Sequence, residues 1–151
     1  MRTRWQRYPD DATAGRLYAE ALMNLQPWDY WTPDGKPKGR TEDIVAALER
    51  ALAIDPHHPG ACHYYIHAAE SSSRPERALP CAERLAELAP GAGHLVHMPA
   101  HIYLRLGLYA KAADHNVHAV SVDDEYRPIA ISRASTRGAM RPTTCIFSGR
   151  P

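Results

Sequence analysis

Apolar and small residues recur every three or four positions in six stretches of the chain, 11–25, 41–54, 60–71, 75–88, 94–106 and 109–122, and each stretch predicts an amphipathic helix. Helix-breaking residues separate them. Thr41, Glu42 and Asp43 mark a helix start, Pro56 and Pro90 follow helix ends, and Gly107 divides the last two helices. No run of alternating Val, Ile and Thr is long enough for a strand, so the pattern predicts an all-α chain of three helical pairs.

The pattern also repeats. Displaced by 34 residues, Ile44 falls on Ala78 and then Ala112, Ala51 on Leu85 and Ala119, and Pro56 on Pro90; one more step lands on Asp124, where a helix should end again. Going backwards, Pro9 precedes Pro56 by 47 residues, one period plus an insertion of 13 spanning 27–39. The units are therefore 11–57 with its insertion, 58–91 and 92–125, after an N-terminal stretch, 1–10, that reads as the end of an absent earlier repeat. Residues 127–151 carry five arginines, no acidic residue and no helical or strand period, and are expected to form an irregular tail.

Leu106-Gly107-Leu108-Tyr109-Ala110-Lys111-Ala112 and Ala47-Leu48-Glu49-Arg50-Ala51-Leu52-Ala53-Ile54-Asp55-Pro56 resemble the helix-turn-helix and repeat-end patterns of tetratricopeptide (TPR) repeats, over about residues 11–126. The resemblance implies a right-handed array of antiparallel helical hairpins, with Ala51, Ala78, Ala82, Ala112 and Ala119 where paired helices approach closely. Pro99 inside a first helix, the enlarged first loop and Asp124 in place of a closing proline depart from it. His63-Tyr64-Tyr65-Ile66-His67-Ala68-Ala69-Glu70 and Gly93-His94-Leu95-Val96-His97-Met98-Pro99-Ala100-His101-Ile102 resemble an uncharacterised bacterial TPR-like group. Members of that group are longer and continue with a His-Asn-x-His-Phe-Leu motif. Residues 141–151, back-translated with GC-rich codons and shifted by two nucleotides, can spell AHNMHFLWAA, so the tail is expected to be an out-of-frame end on a truncated member.

Composition narrows the function classes. A net charge of +1, with no basic run interleaved with aromatics, argues against a nucleic-acid or anionic-lipid partner. Cys62, Cys81 and Cys145 fit neither a disulfide framework nor a CxxC metal site, and point to a reducing, cytoplasmic setting. No signal-peptide core or span of eighteen apolar residues occurs, nor does a phosphate loop or nucleophile elbow.

The candidate chemistry lies in the histidines, which repeat with the scaffold: His63 falls on His97 and His67 on His101. On a helix, His63, His67 and Glu70 share one face, as do His94, His97 and His101. The TPR resemblance places these first helices along a concave groove, with Glu20, His67 and His101 in one row and Arg16, His63 and His97 in the next. Pro99 sets His94 and His97 on a cap or kink, leaving Glu20, His67 and His101 as the firmer trio.

Two readings follow. The first is a scaffold binding a peptide or protein partner in a groove lined by Arg16, Glu20, His63, His67, Glu70, His94, His97 and His101, with no cofactor. The second is a metal-binding protein or metal-dependent enzyme holding zinc or iron through Glu20, His67, Glu70 and His101, with His63 and His97 as further ligands. It is no zincin, because Tyr64 stands where the HExxH glutamate belongs. A third is a truncated product without function. Uncapped repeat ends would favour self-association. His57 and His58 are expected in an exposed turn, His115 and His118 on an outer or interface face, and Tyr64, Tyr65 and Tyr103 in the core. The aromatics of the insertion, Trp28, Tyr30 and Trp31, are expected to cover the first helical pair rather than form a lid.

Overall fold

Local chemistry sets the helix ends. The computed structural model describes residue 5 and residues 7–134, with 126–134 as backbone only. The first helix, α1 (Ala12–Leu25), begins where the Asp11 carboxylate accepts from the Ala14 amide at 3.1 Å. In α2 (Thr41–Ile54), Glu42 and Asp43 sit in the first turn, where carboxylates suit the helix dipole. Thr41 does not cap the helix. Its buried hydroxyl lies 2.7 Å from the Tyr30 and Lys38 carbonyls and ties the insertion to the helix instead.

The α3 helix (Pro59–Ala69) has proline at its first position and His58 as its cap, with the imidazole Nδ1 accepting from the Ala61 amide at 3.2 Å. The Nε2 of His58 then carries the proton and donates to Thr13 at 3.2 Å, so His58 is a half-buried clasp between α1 and α3, not an exposed turn residue; His57 is exposed. A short 3-10 turn (Pro75–Ala78) leads into α4 (Leu79–Leu88). The predicted fifth helix is divided into α5 (Gly93–His97) and α6 (Pro99–Arg105). Met98 between them keeps helical dihedrals, so the missing amide of Pro99 costs a hydrogen bond without turning the chain aside. Gly107, at φ +75°, supplies the left-handed turn into α7 (Tyr109–Ala134).

Helix α7 runs on past Tyr126, so the irregular tail expected from 127 does not begin there; the rest of that expectation, 135–151, lies outside the described residues. Among the described residues the one strand-like pairing is an isolated bridge between Trp31 and Pro37. No described helix is long and apolar enough to cross a membrane.

The pairs are α1 with α2, α3 with α4, and α5–α6 with α7, and contacts of α2 with α3 and of α4 with α6 join them. Small residues make the close crossings: Ala51, Ala78, Ala82, Ala112 and Ala119 are almost wholly buried. Gly93 belongs with them, since a Cβ there would stand 3.0 Å from the Ala119 carbonyl and collide with the Asp123 carboxylate. Ile44, Leu48, Ile66, Leu85, Met98 and Ile102 fill one continuous core beneath the histidines. Cys62 and Cys81 are buried free thiols within it.

Candidate functional site

Five imidazoles meet where α3 faces α5 and α6. Ring centroids are 4.9 Å apart for His63 and His67, 5.0 Å for His63 and His94, 5.6 Å for His67 and His101, and 4.9 Å for His97 and His101. Helical spacing gives the pairs within one element. Packing of successive units gives the pairs across elements.

Glu70 organises the cluster. One carboxylate oxygen accepts from His67 Nδ1 at 3.1 Å and the other from His101 Nδ1 at 2.6 Å. Burial alone would push the pKa of this carboxyl up, but the bonds from His101 and His67 win and hold it down at about 2. Glu70 is therefore an anion and a pure acceptor, which fixes a proton on Nδ1 of both partners and turns their Nε2 away from it. The Nε2 of His101 is 3.0 Å from His97 Nε2. On its other side His97 donates from Nδ1 to the Asn116 side-chain oxygen at 2.5 Å.

On the other side, His63 Nε2 and His94 Nε2 are 3.0 Å apart. With His67 they form a trio whose ligand nitrogens all lie within 4.8 Å of one another. Burial, then the neighbouring His67 and His94, push His63 down to about 3, and burial likewise lowers His94 and His97. These imidazoles are neutral at physiological pH, the form that binds metals.

The same shift makes the fold acid-sensitive. Between about pH 6.5 and 3 an unfolded His63 takes up a proton that the folded one refuses, so stability falls as pH drops through this window. At pH 5 the His63 shift alone is on the order of 2 kcal/mol, with His94 and His97 acting in the same direction. Thermal melts of the metal-free chain should show Tm at least about 5 °C lower at pH 5 than at pH 7. A Tm flat across that range would contradict a desolvated neutral cluster.

Above the imidazoles is a cavity of about 580 Å³. Its wall comes from the end of α1 and the insertion, with Met23, Pro27, Trp28 and Tyr30, and from Tyr64 on α3. Trp28 stands edge-on to His67 with centroids 5.2 Å apart. Tyr30 is buried as expected, but Trp31 donates from Nε1 to the Ala68 carbonyl at 2.7 Å and so reaches the second helical pair rather than the first, while Trp28 lines the cavity.

The remaining sequence candidates divide. Glu20 has no bond to the histidines among those described: its two oxygens accept from Arg16 and, at 2.6 Å, from the Tyr64 hydroxyl. Burial and that bond to Glu20 raise Tyr64 to about 12, and Tyr64 is a cavity-wall residue rather than core. The guanidinium of Arg16 lies over the Tyr64 ring at 5.8 Å. His63 pairs with His94 rather than with His97. His94 and His97 stay in the cluster despite Pro99, because Met98 remains helical. Tyr65 and Tyr103 are buried as expected; His115 bonds the Val96 carbonyl at 3.1 Å across α7 and α5, and His118 is exposed. Sequence reasoning missed Asn116 and the cavity-wall residues Met23 and Pro27.

No family model matches the chain, and no curated protein matches it. Among solved structures, the crystal structure of MamA, a TPR-like helical protein, is similar with a TM-score of 0.60 at 16% sequence identity. The match covers 78% of this chain and 61% of that one. The likeness shows a TPR-like helical fold. At this identity it carries the fold alone, and function rests on the site.

Proposed function

We propose that this chain binds a divalent transition metal in the histidine cavity of a TPR-like scaffold. The observation that carries the reading is the His63, His67 and His94 trio, with ligand nitrogens within 4.8 Å and Glu70 orienting His67 from behind. A carboxylate on the far ring nitrogen is the usual support of a metal-binding imidazole. Tetrahedral zinc with bonds of about 2.0–2.1 Å needs nitrogens about 3.4 Å apart; His63 and His94 are already inside that distance, and a small side-chain rotation brings His67 to it. Three imidazoles suit zinc better than iron, because Glu70 spends both oxygens on imidazole N–H groups and is not free as the carboxylate of an iron triad. The fourth position opens toward the cavity. On this reading the two motifs that resemble the bacterial TPR-like group are the ligand-bearing segments.

The test uses tag-free protein. Zinc at about a hundred times its Kd should stabilise the chain by roughly 2.7 kcal/mol and raise Tm by at least about 5 °C, and Co(II) should give the intense visible bands of tetrahedral coordination. No rise and no bands refute the metal centre. The TPR-like fold favours a second reading, a scaffold holding a peptide or protein partner along the same face. The two part at His67: a chain that loses its metal when His67 is replaced, yet still captures its partner, acts as a scaffold independently of the ion.

A further inference from the structure

Trp28 is the residue that the fold and the metal site leave unexplained. Its indole is 73% exposed, yet its backbone sits at φ +64°, the one left-handed non-glycine among the described residues. For a bulky side chain that conformation is unfavourable and persists only where the surroundings impose it. They do. On the N-terminal side, Gln26 reaches the Asp29 and Lys38 carbonyls at 3.2 and 3.1 Å and accepts from the Arg40 amide at 2.7 Å. On the C-terminal side, Tyr30 is buried and Trp31 is bonded to α3. The loop is pinned at both ends so as to hold an exposed indole over the His67 ring.

We infer that the cavity takes a small aromatic molecule bearing one anionic oxygen donor, whose oxygen binds the metal and whose ring lies against Trp28. The inference rests on the metal reading of the same site. Ring recognition follows from the wall: Trp28, Pro27 and Met23 offer apolar surface opposite the imidazoles, and a cavity of about 580 Å³ admits a one- or two-ring molecule. The oxygen follows from the ion: imidazole ligands bring no charge to offset a divalent cation, and His63, His67 and His94 all line the cavity, so an anionic oxygen would reach the ion from there.

Benzohydroxamate and acetohydroxamate separate the two parts of this claim, because both present the same hydroxamate group, with its one anionic oxygen, and only the first carries a ring. Titrated into the Co(II)-loaded chain and followed by the visible bands, benzohydroxamate should bind at least about tenfold more tightly. In Trp28→Ala, provided Co(II) still gives its bands, the ratio of the two affinities should shrink to within twofold, and Trp28→Phe should restore most of it. If Co(II) gives no bands, the metal centre fails and the inference with it. If the bands appear but the ring confers less than twofold, or its advantage survives in Trp28→Ala, the inference alone is overturned.

Discussion

His67→Ala is expected to abolish stoichiometric zinc and Co(II) binding, a loss larger than the 10–100-fold typical of removing an outer-shell partner. His67 is the ligand of the trio with the most support: its side chain is 10% exposed, Glu70 holds its Nδ1 proton, and its ring contacts those of His63, His94 and His101. Without it, His63 and His94 remain as a two-ligand site near the surface, where water competes on even terms. The control is His118→Ala, which changes an exposed histidine of α7 and leaves the trio intact. Calorimetric titration of both variants decides the matter. Zinc affinity of His67→Ala within tenfold of the unaltered chain would mean that His63, His67 and His94 are not the site. A variant that melts cooperatively but fails to bind would place the loss in the ligand rather than in the fold.

The scaffold of this site is legible in the sequence for a physical reason. A 34-residue period forces equivalent positions of neighbouring units into contact, so His67 and His101 end 5.6 Å apart and the repeated alanines end at helix crossings. Partners are less legible than positions. The period, with the insertion allowed for, aligns Glu20 with His67, but it does not encode that Glu20 spends its oxygens on Arg16 and Tyr64. The His63–His94 pair depends on how α3 and α5 are offset along their axes, a tertiary quantity that no spacing within one helix encodes. Trp28 was opaque for another reason: a positive φ at a non-glycine residue is imposed by the anchors around it, not by its own preference. Asn116 is one of many polar residues on α7, and the apolar pattern of that helix does not single it out.

Glu70→Gln is expected to weaken zinc binding by about 10–100-fold while leaving every metal ligand in place. The carboxylate accepts two protons, one from each of His67 and His101. An amide of the same shape offers one oxygen and one NH₂, so a donor now faces one of the two Nδ1–H groups. That imidazole must move its proton to Nε2. If it is His67, the nitrogen that would bind the metal is protonated; if it is His101, the proton lands on the Nε2 that faces His97. Aspartate separates charge from reach, since Glu70→Asp keeps the anion but is one methylene shorter. The acid limb of stability gives an independent readout. With its folded value held at about 2 and an ordinary value of 4.5, Glu70 adds stability that is present above about pH 4.5 and lost as pH falls through 2, and Glu70→Gln should remove that part of the profile. The acid loss assigned to His63 lies mostly at higher pH and should persist in Glu70→Gln, so the two limbs can be separated in one titration. If Glu70→Gln binds zinc within twofold of the unaltered chain, the glutamate is a structural anion and the tautomer of His67 is set by something else.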